Sequence, residues 1–265
     1  MKSRLKSFAT AGFITVLCAC ATSPTGRNQM LLYSETQMAE MGGQAFSSMK
    51  EELKVSSKQV ENSYVQCVAK SLTPYVPQSV FSGEWEVVVF EDEQVNAFAL
   101  PGGKIGVYTG LLNVAKTQSQ LAAVIGHEIG HVIAHHGNER MSTSTLTNLG
   151  TQAVAQVVNA NEVAYSGAIM AAIGMGSEVA ITLPFSRTHE SEADLIGLAL
   201  MAQAGFDPRE SVTLWQNMEA ASGGQQPIEL LSTHPAPQSR IENLQANMTA
   251  ALYDYDKTAT RPNCN

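Results

Sequence analysis

The sequence predicts an α+β fold that is mostly helical and carries one small mixed β-sheet. Three observations point there. Apolar residues recur at helical spacing in the segments read as helices, the strand candidates fall between residues 85 and 109, led by the apolar β-branched run Trp85 to Phe90, and aromatics make up only 6% of the residues while Ala, Gly, Ser and Met are abundant. With 265 residues, 44% of them hydrophobic and 15% charged, the chain has apolar material for one or two domains, which excludes a disordered or collagen-like polymer. Twenty-four acidic against 16 basic residues leave a net charge of −8, so nothing draws the chain to a phosphate backbone and nucleic acid is not an expected partner.

The first element is an address. Lys2, Arg4 and Lys6 precede an apolar stretch over residues 8 to 19 that is too short to stay in a bilayer, so residues 1 to 19 read as a secretory signal. Its end, Leu17-Cys18-Ala19-Cys20, resembles a bacterial lipobox, which makes Cys20 the expected lipidated first residue of the mature chain. The alternative is signal cleavage near Ala19 or Ala21 and release in soluble form. Acyl chains at about 0.8 kcal/mol per buried methylene would anchor the protein, and by resemblance to bacterial lipoproteins Ala21 implies the periplasmic face of the outer membrane. Residues 20 to 33 are expected to be a flexible tether. In an oxidising compartment Cys67 and Cys264 are the remaining pair and a disulfide is expected between them, two separate thiols being the alternative.

A single domain is expected over residues 34 to 255, followed by a tail at 256 to 265. Ser34 and Gln37 form a capping box for a helix running to about 55, and a second helix covers 58 to 72. Pro74 and Pro77 end it. Strands follow at 85 to 90, 95 to 100 and 104 to 109, the last two pairing across the turn Pro101-Gly102-Gly103. From 118 to 136 Leu121, Val124, Ile125, Ile129 and Val132 form a helical stripe. Residues 142 to 183 are rich in small residues and include a 17-residue apolar stretch, Gly167 to Leu183. Glu178 and the short length argue for a helix pair over the site rather than a membrane span, and such a segment suits a flap. Further helices are expected at 185 to 204, from Asp207 as N-cap with Pro208 at the first helical position to 222, and at 237 to 252.

The stretch His127-Glu128-Ile129-Gly130-His131 fits HExxH. Residues four apart share one helix face, which sets two imidazoles about 6 Å apart and converging on one ion. A zinc ion there would bring its bound water toward a pKa of about 7, and Glu128 stands beside the ligands to take that water's proton. Three protein ligands are expected at a catalytic zinc. His135 and His136 lie about 12 Å along the helix from His127, too far to share the ion without a break, and are read as helix-end residues meeting the dipole or capping carbonyls. The longer HExxHxxGxxH pattern fails at Ala134 and Gly137. About 60 residues on, Glu190 and Asp194 share one face of another helix, with Glu192 turned about 200° from Glu190 and expected in solvent. Glu190 is the expected third ligand, and Asp194 the acceptor that fixes the tautomer of a ligand histidine.

Taken together, these motifs resemble the HtpX and CAAX prenyl protease-type zinc metallopeptidases and their soluble LoiP-like and BepA-like relatives. The match rests on residues 96 to 103, 109 to 112, 127 to 131, 186 to 194, Thr233-His234-Pro235 and Arg240-Ile241. The chain has neither the long apolar spans of HtpX-type members nor the repeats of BepA-like ones, so the LoiP-like outer-membrane lipoproteins fit best. The resemblance implies a gluzincin-type domain with one zinc at His127, His131 and Glu190, Glu128 as general base, Asp194 behind a ligand, His234 stabilising the oxyanion and Arg240 bracing that end. The strand at 95 to 100 is expected to pair with extended substrate through the main chain of Asn96, Ala97 and Phe98. The expected activity is endoproteolysis of extended or misfolded periplasmic polypeptides, with envelope assembly or quality-control proteins as partners. The rival expectation is a chaperone-like assembly lipoprotein with a weakly active or structural zinc site.

Overall fold

A computed structural model describes residues 20–160, 187–222, 229–234 and 238–264. The expected signal segment and the apolar stretch at 167 to 183 lie outside the described residues.

The chain enters through a short antiparallel hairpin, β1 (Cys20–Thr22) and β2 (Asn28–Met30), where a tether was expected. Helix α1 (Glu35–Glu52) begins at Ser34, whose hydroxyl accepts from Gln37 N while the Gln37 side chain accepts from Ser34 N, so both arms of the capping box form. Helix α2 (Gln59–Leu72) runs into a 3₁₀ turn at Thr73–Tyr75, where Pro74 removes a donor.

Strands β3 (Glu86–Phe90), β4 (Ala97–Leu100) and β5 (Lys104–Tyr108) form a mixed sheet in the order β3-β5-β4. β5 lies parallel to β3 and antiparallel to β4, the latter pair closing across the expected turn, where Gly102 and Gly103 take φ of +84° and +70°. β4 is therefore an edge strand. After the short α3 (Thr109–Leu112), helix α4 (Gln118–Ile133) starts at Thr117, whose hydroxyl accepts from Gln120 N, and it is buried from Ser119 to Ile133. It runs through the centre of the molecule. The main core joins Leu72 of α2, Ile105 and Val107 of the sheet, and Leu121, Ile125 and Ile129 of α4. A smaller aromatic cluster of Phe46, Phe90, Phe98 and Tyr108 fills the other face of the sheet.

The α4 helix stops at Ile133, short of the expected end at 136. Ala134 caps it, His135 turns left-handed at φ 54°, and a new helix α5 (His136–Ala160) leaves in another direction. Helix α6 (Arg187–Gln203) crosses α4. Asp207 accepts from Arg209 N in a tight turn, which delays α7 (Glu210–Ser222) by two residues beyond the expected start. A short helix α8 (Glu229–Thr233) and the long α9 (Gln238–Lys257) complete the domain. No helix among the described residues is long and apolar enough to cross a membrane. The tail is tied back to α2 by the disulfide Cys67–Cys264 and to the start of α4 by Gln118, which pairs with Pro262 O and Cys264 N.

Candidate metal centre

Small residues bring the two halves of the site together. Gly126 and Gly130 on α4 lie four apart and face Ala193 and Gly197 on α6, also four apart. A Cβ on Gly130 would stand 2.7 Å from Ala193 O, and one on Gly197 would stand 2.7 Å from His127 N, so only glycine permits this approach of the two backbones. That contact carries Glu190 over the HExxH face.

Four donor groups converge there. His127, His131, Glu190 and His234 are all buried, with their ligand atoms within 4.8 Å of one another. His127 Nε2 lies 3.1 Å from His131 Nε2 and 3.4 Å from Glu190 Oε2, while His131 Nε2 lies 3.6 Å from Glu190 Oε1. A tetrahedral zinc bound at 2.0–2.1 Å separates its ligands by about 3.3 Å, so the spacing and the His-His-Glu chemistry both fit a metal ion of that kind. His234 Nδ1 stands 3.1 Å from Glu190 Oε1 and 3.4 Å from His127 Nε2, at the fourth corner of the same figure.

Glu128 sits against this group. It is 4% exposed, its Oε1 has no hydrogen-bond partner among the described residues, and His234 Nε2 is 3.8 Å away. Burial pushes its carboxyl up from the usual range, against the pull of nearby imidazolium charge. A buried carboxylate with one oxygen unmatched is the expected state of a base waiting for a water proton. Glu190 differs. Burial would raise it too, but the His127 and His234 imidazoles beside it hold it down at about 2, so it stays anionic.

The outer partners of the two HExxH imidazoles fix their tautomers. Asp194 Oδ1 accepts from His127 Nδ1 at 3.0 Å, leaving the Nε2 lone pair toward the metal position. Arg240, 1% exposed, grips both oxygens of Asp194 at 2.6 and 2.7 Å, reaches Glu190 at 2.9 Å, donates to His234 O and lies 4.0 Å over the Trp215 ring. Trp215 had no signal in the sequence.

Two expectations are corrected on the other side. His136 opens α5 but its ring meets side chains rather than the carbonyls of a helix end: it is fully buried, and its Nδ1 is 2.8 Å from His131 Nδ1. The helix break at His135 is what turns it back. Glu192, expected in solvent, is 2% exposed and its Oε2 lies 3.1 Å from His136 Nε2. Since a carboxylate only accepts, His136 Nε2 carries the proton, and burial holds that imidazole down at about 4, hence neutral. Its Nδ1 therefore accepts from His131 Nδ1, which again leaves Nε2 of the ligand free to bind. His135 points away and pairs with Glu35 at 3.3 Å.

The substrate-strand expectation shifts by one residue. Tyr108 N donates to Asn96 O, so by antiparallel alternation Asn96 and Phe98 face β5, while Ala97 and Ala99 present their backbone groups to the outer edge. The Phe98 ring lies in the aromatic cluster, and the Asn96 side chain accepts from Ala97 N. A cleft of about 450 Å³ runs from Ala99 and Leu100 past His131 to His135, between α1 and Phe81. Cys20 begins β1.

Comparison with known proteins agrees with this site. The model of peptidase family M48 matches residues 59–248, which include the HExxH segment, Glu190, Asp194, His234 and Arg240. The chain is 42% identical over 173 residues to the mitochondrial metalloendopeptidase OMA1 of Arabidopsis thaliana, covering 64% of this chain and 33% of that protein. Against the human metalloendopeptidase OMA1 it is 30% identical over 260 residues, 94% of this chain and 49% of the relative. It is also 30% identical over 158 residues to the beta-barrel assembly-enhancing protease of Escherichia coli strain K12, covering 58% of this chain and 32% of that one. The chain thus spans about a third to a half of the length of these relatives. With a family match over most of its length, and a buried His-His-Glu group suited to a metal within the matched residues, the chain belongs to peptidase family M48.

Proposed function

We propose that this protein is a zinc-dependent endopeptidase that cleaves extended or misfolded polypeptides in the bacterial periplasm, held at the outer membrane through Cys20. The observation that carries the reading is Glu128, buried with an unmatched oxygen beside the convergent His127, His131 and Glu190. A zinc ion in that group supplies Lewis acidity, activating a water and polarising the peptide carbonyl. Glu128 takes the proton of the attacking water and passes it to the leaving amine. His234, on the same side as Glu128, donates to the oxyanion of the tetrahedral intermediate. Ala99, at the outer edge of β4 and lining the cleft, holds the substrate main chain as an added strand. The LoiP-like lipoproteins remain the subgroup that best accounts for the lipobox-like start.

The test is Glu128→Gln: casein cleavage is expected to vanish while zinc content stays at one per chain, and undiminished cleavage discards the mechanism. Metabolic labelling with palmitate is expected to mark the wild type and not Cys20→Ala; an unlabelled wild type discards the anchor.

A second reading is favoured by His234 standing at the fourth corner, since four closed protein donors are the mark of a structural site. On that reading the protein is a chaperone-like assembly lipoprotein, and a chelator unfolds it rather than merely silencing it. Retained helicity after chelation favours the peptidase.

A further inference from the structure

We propose that the N-terminal hairpin, Cys20 to Met30, is a positioning strap for the metal centre, setting through Arg27 the carboxylate that orients His131. Two three-residue strands do not form a stable unit alone. Nor does the hairpin add to the core: within residues 21 to 30 the buried side chains are the polar Ser23 and Gln29. What it contributes is directed hydrogen bonding.

Those bonds converge behind His131. Thr25 Oγ1 donates to Glu192 Oε1 at 2.7 Å, and Arg27 donates through Nε and Nη2 to Glu192 Oε2 at 3.3 and 3.2 Å. The same guanidinium grips both oxygens of Glu139 at 2.6 and 2.7 Å, which fixes its plane. Both oxygens of Glu192 are thus held from the hairpin, so that Oε2 is presented to His136 and through it to His131. Gln29 Nε2 donates to Ala134 O at 2.6 Å and to Glu139 Oε2 at 2.9 Å. Ala134 O belongs to the break between α4 and α5, the bend that lets His136 turn back on His131. One hairpin therefore steadies the bend and the carboxylate together. Without Arg27, Glu192 would be a buried anion free to change rotamer, and the His131 ring would lose its fixed orientation.

The inference rests on the metal-centre reading, and direct zinc binding separates the two. Zinc affinity of the full chain, measured by competition with a chromophoric chelator, is expected to fall 10- to 100-fold in Arg27→Met. On casein kcat falls while KM holds, Arg27→Lys restores part of the loss, and the visible band of the cobalt-loaded protein shifts. Lys54→Ala, at an exposed pair with Glu91, is the surface control. Unchanged zinc affinity and an unshifted cobalt band in Arg27→Met overturn the strap. A wild type that binds no zinc overturns the metal centre instead. Should Arg27→Met not fold, Thr25→Val serves, with a smaller fall of about fivefold expected and none overturning the proposal.

Discussion

The two HExxH imidazoles are steadied from behind by different means. His127 meets a carboxylate directly: Asp194, clamped by Arg240, which lies over Trp215, all within the core formed by α4, α6, α7 and α9. His131 reaches its carboxylate through a second imidazole, and the chain continues by Glu192 to Arg27, whose side chain is 23% exposed on the hairpin. The direct arm is sealed from water, so losing a member leaves a buried charge uncompensated. The indirect arm ends near the surface, where water partly replaces a lost partner. Equal geometry at the ligand nitrogens therefore hides unequal robustness, and the position of His131 depends more on the peripheral chain than that of His127.

Substitutions can break this contrast. Arg240→Ala should have the largest effect, destabilising by about 3–5 kcal/mol in urea unfolding, because Asp194 and Glu190 lose their buried cation together. A cost as small as that of Arg27→Ala would erase the distinction between the arms. Gly197→Ala strikes both arms through the α4–α6 contact; its new Cβ meets His127 N, and a loss of about 1–3 kcal/mol is expected, with weakened zinc binding. Wild-type stability there would mean the helices have slack. Asp194→Asn and Glu192→Gln sharpen the comparison most directly. Each should lower zinc affinity by about 10- to 100-fold, Asp194→Asn the more, in the same chelator competition. Equal losses would show that the relay transmits orientation as well as direct contact does. Ser34→Ala, far from both arms, should cost about 1 kcal/mol of stability with zinc affinity unchanged.

Much of the site was legible because its signals are local. His127 and His131 share a face by spacing alone, and Asp194 follows from Glu190 by the same rule. Glu192 was misplaced by that rule. A wheel gives the angle between two side chains but not whether the far flank is covered, and here the hairpin and α5 cover it. His136 was misread for a related reason: the helix was expected to run on to 136, while the chain breaks at His135. The glycines at 126, 130 and 197 were visible in the sequence as small residues, yet their use as a contact face needs a partner helix some 60 residues away.

By itself the sequence determined the periodic and chemical content of this protein: the capped helix at Ser34, the strand pair around Pro101, the HExxH face and the cysteine pair. Each depends on residues a few positions apart or on simple elimination. Only the tertiary structure decided which faces are covered, where α4 breaks, that Trp215 backs Arg240, and that a segment expected to be a tether reaches the outer partners of His131. Those outcomes depend on burial by elements distant along the chain, where local spacing sets an angle and long-range packing decides whether that angle meets water or a partner.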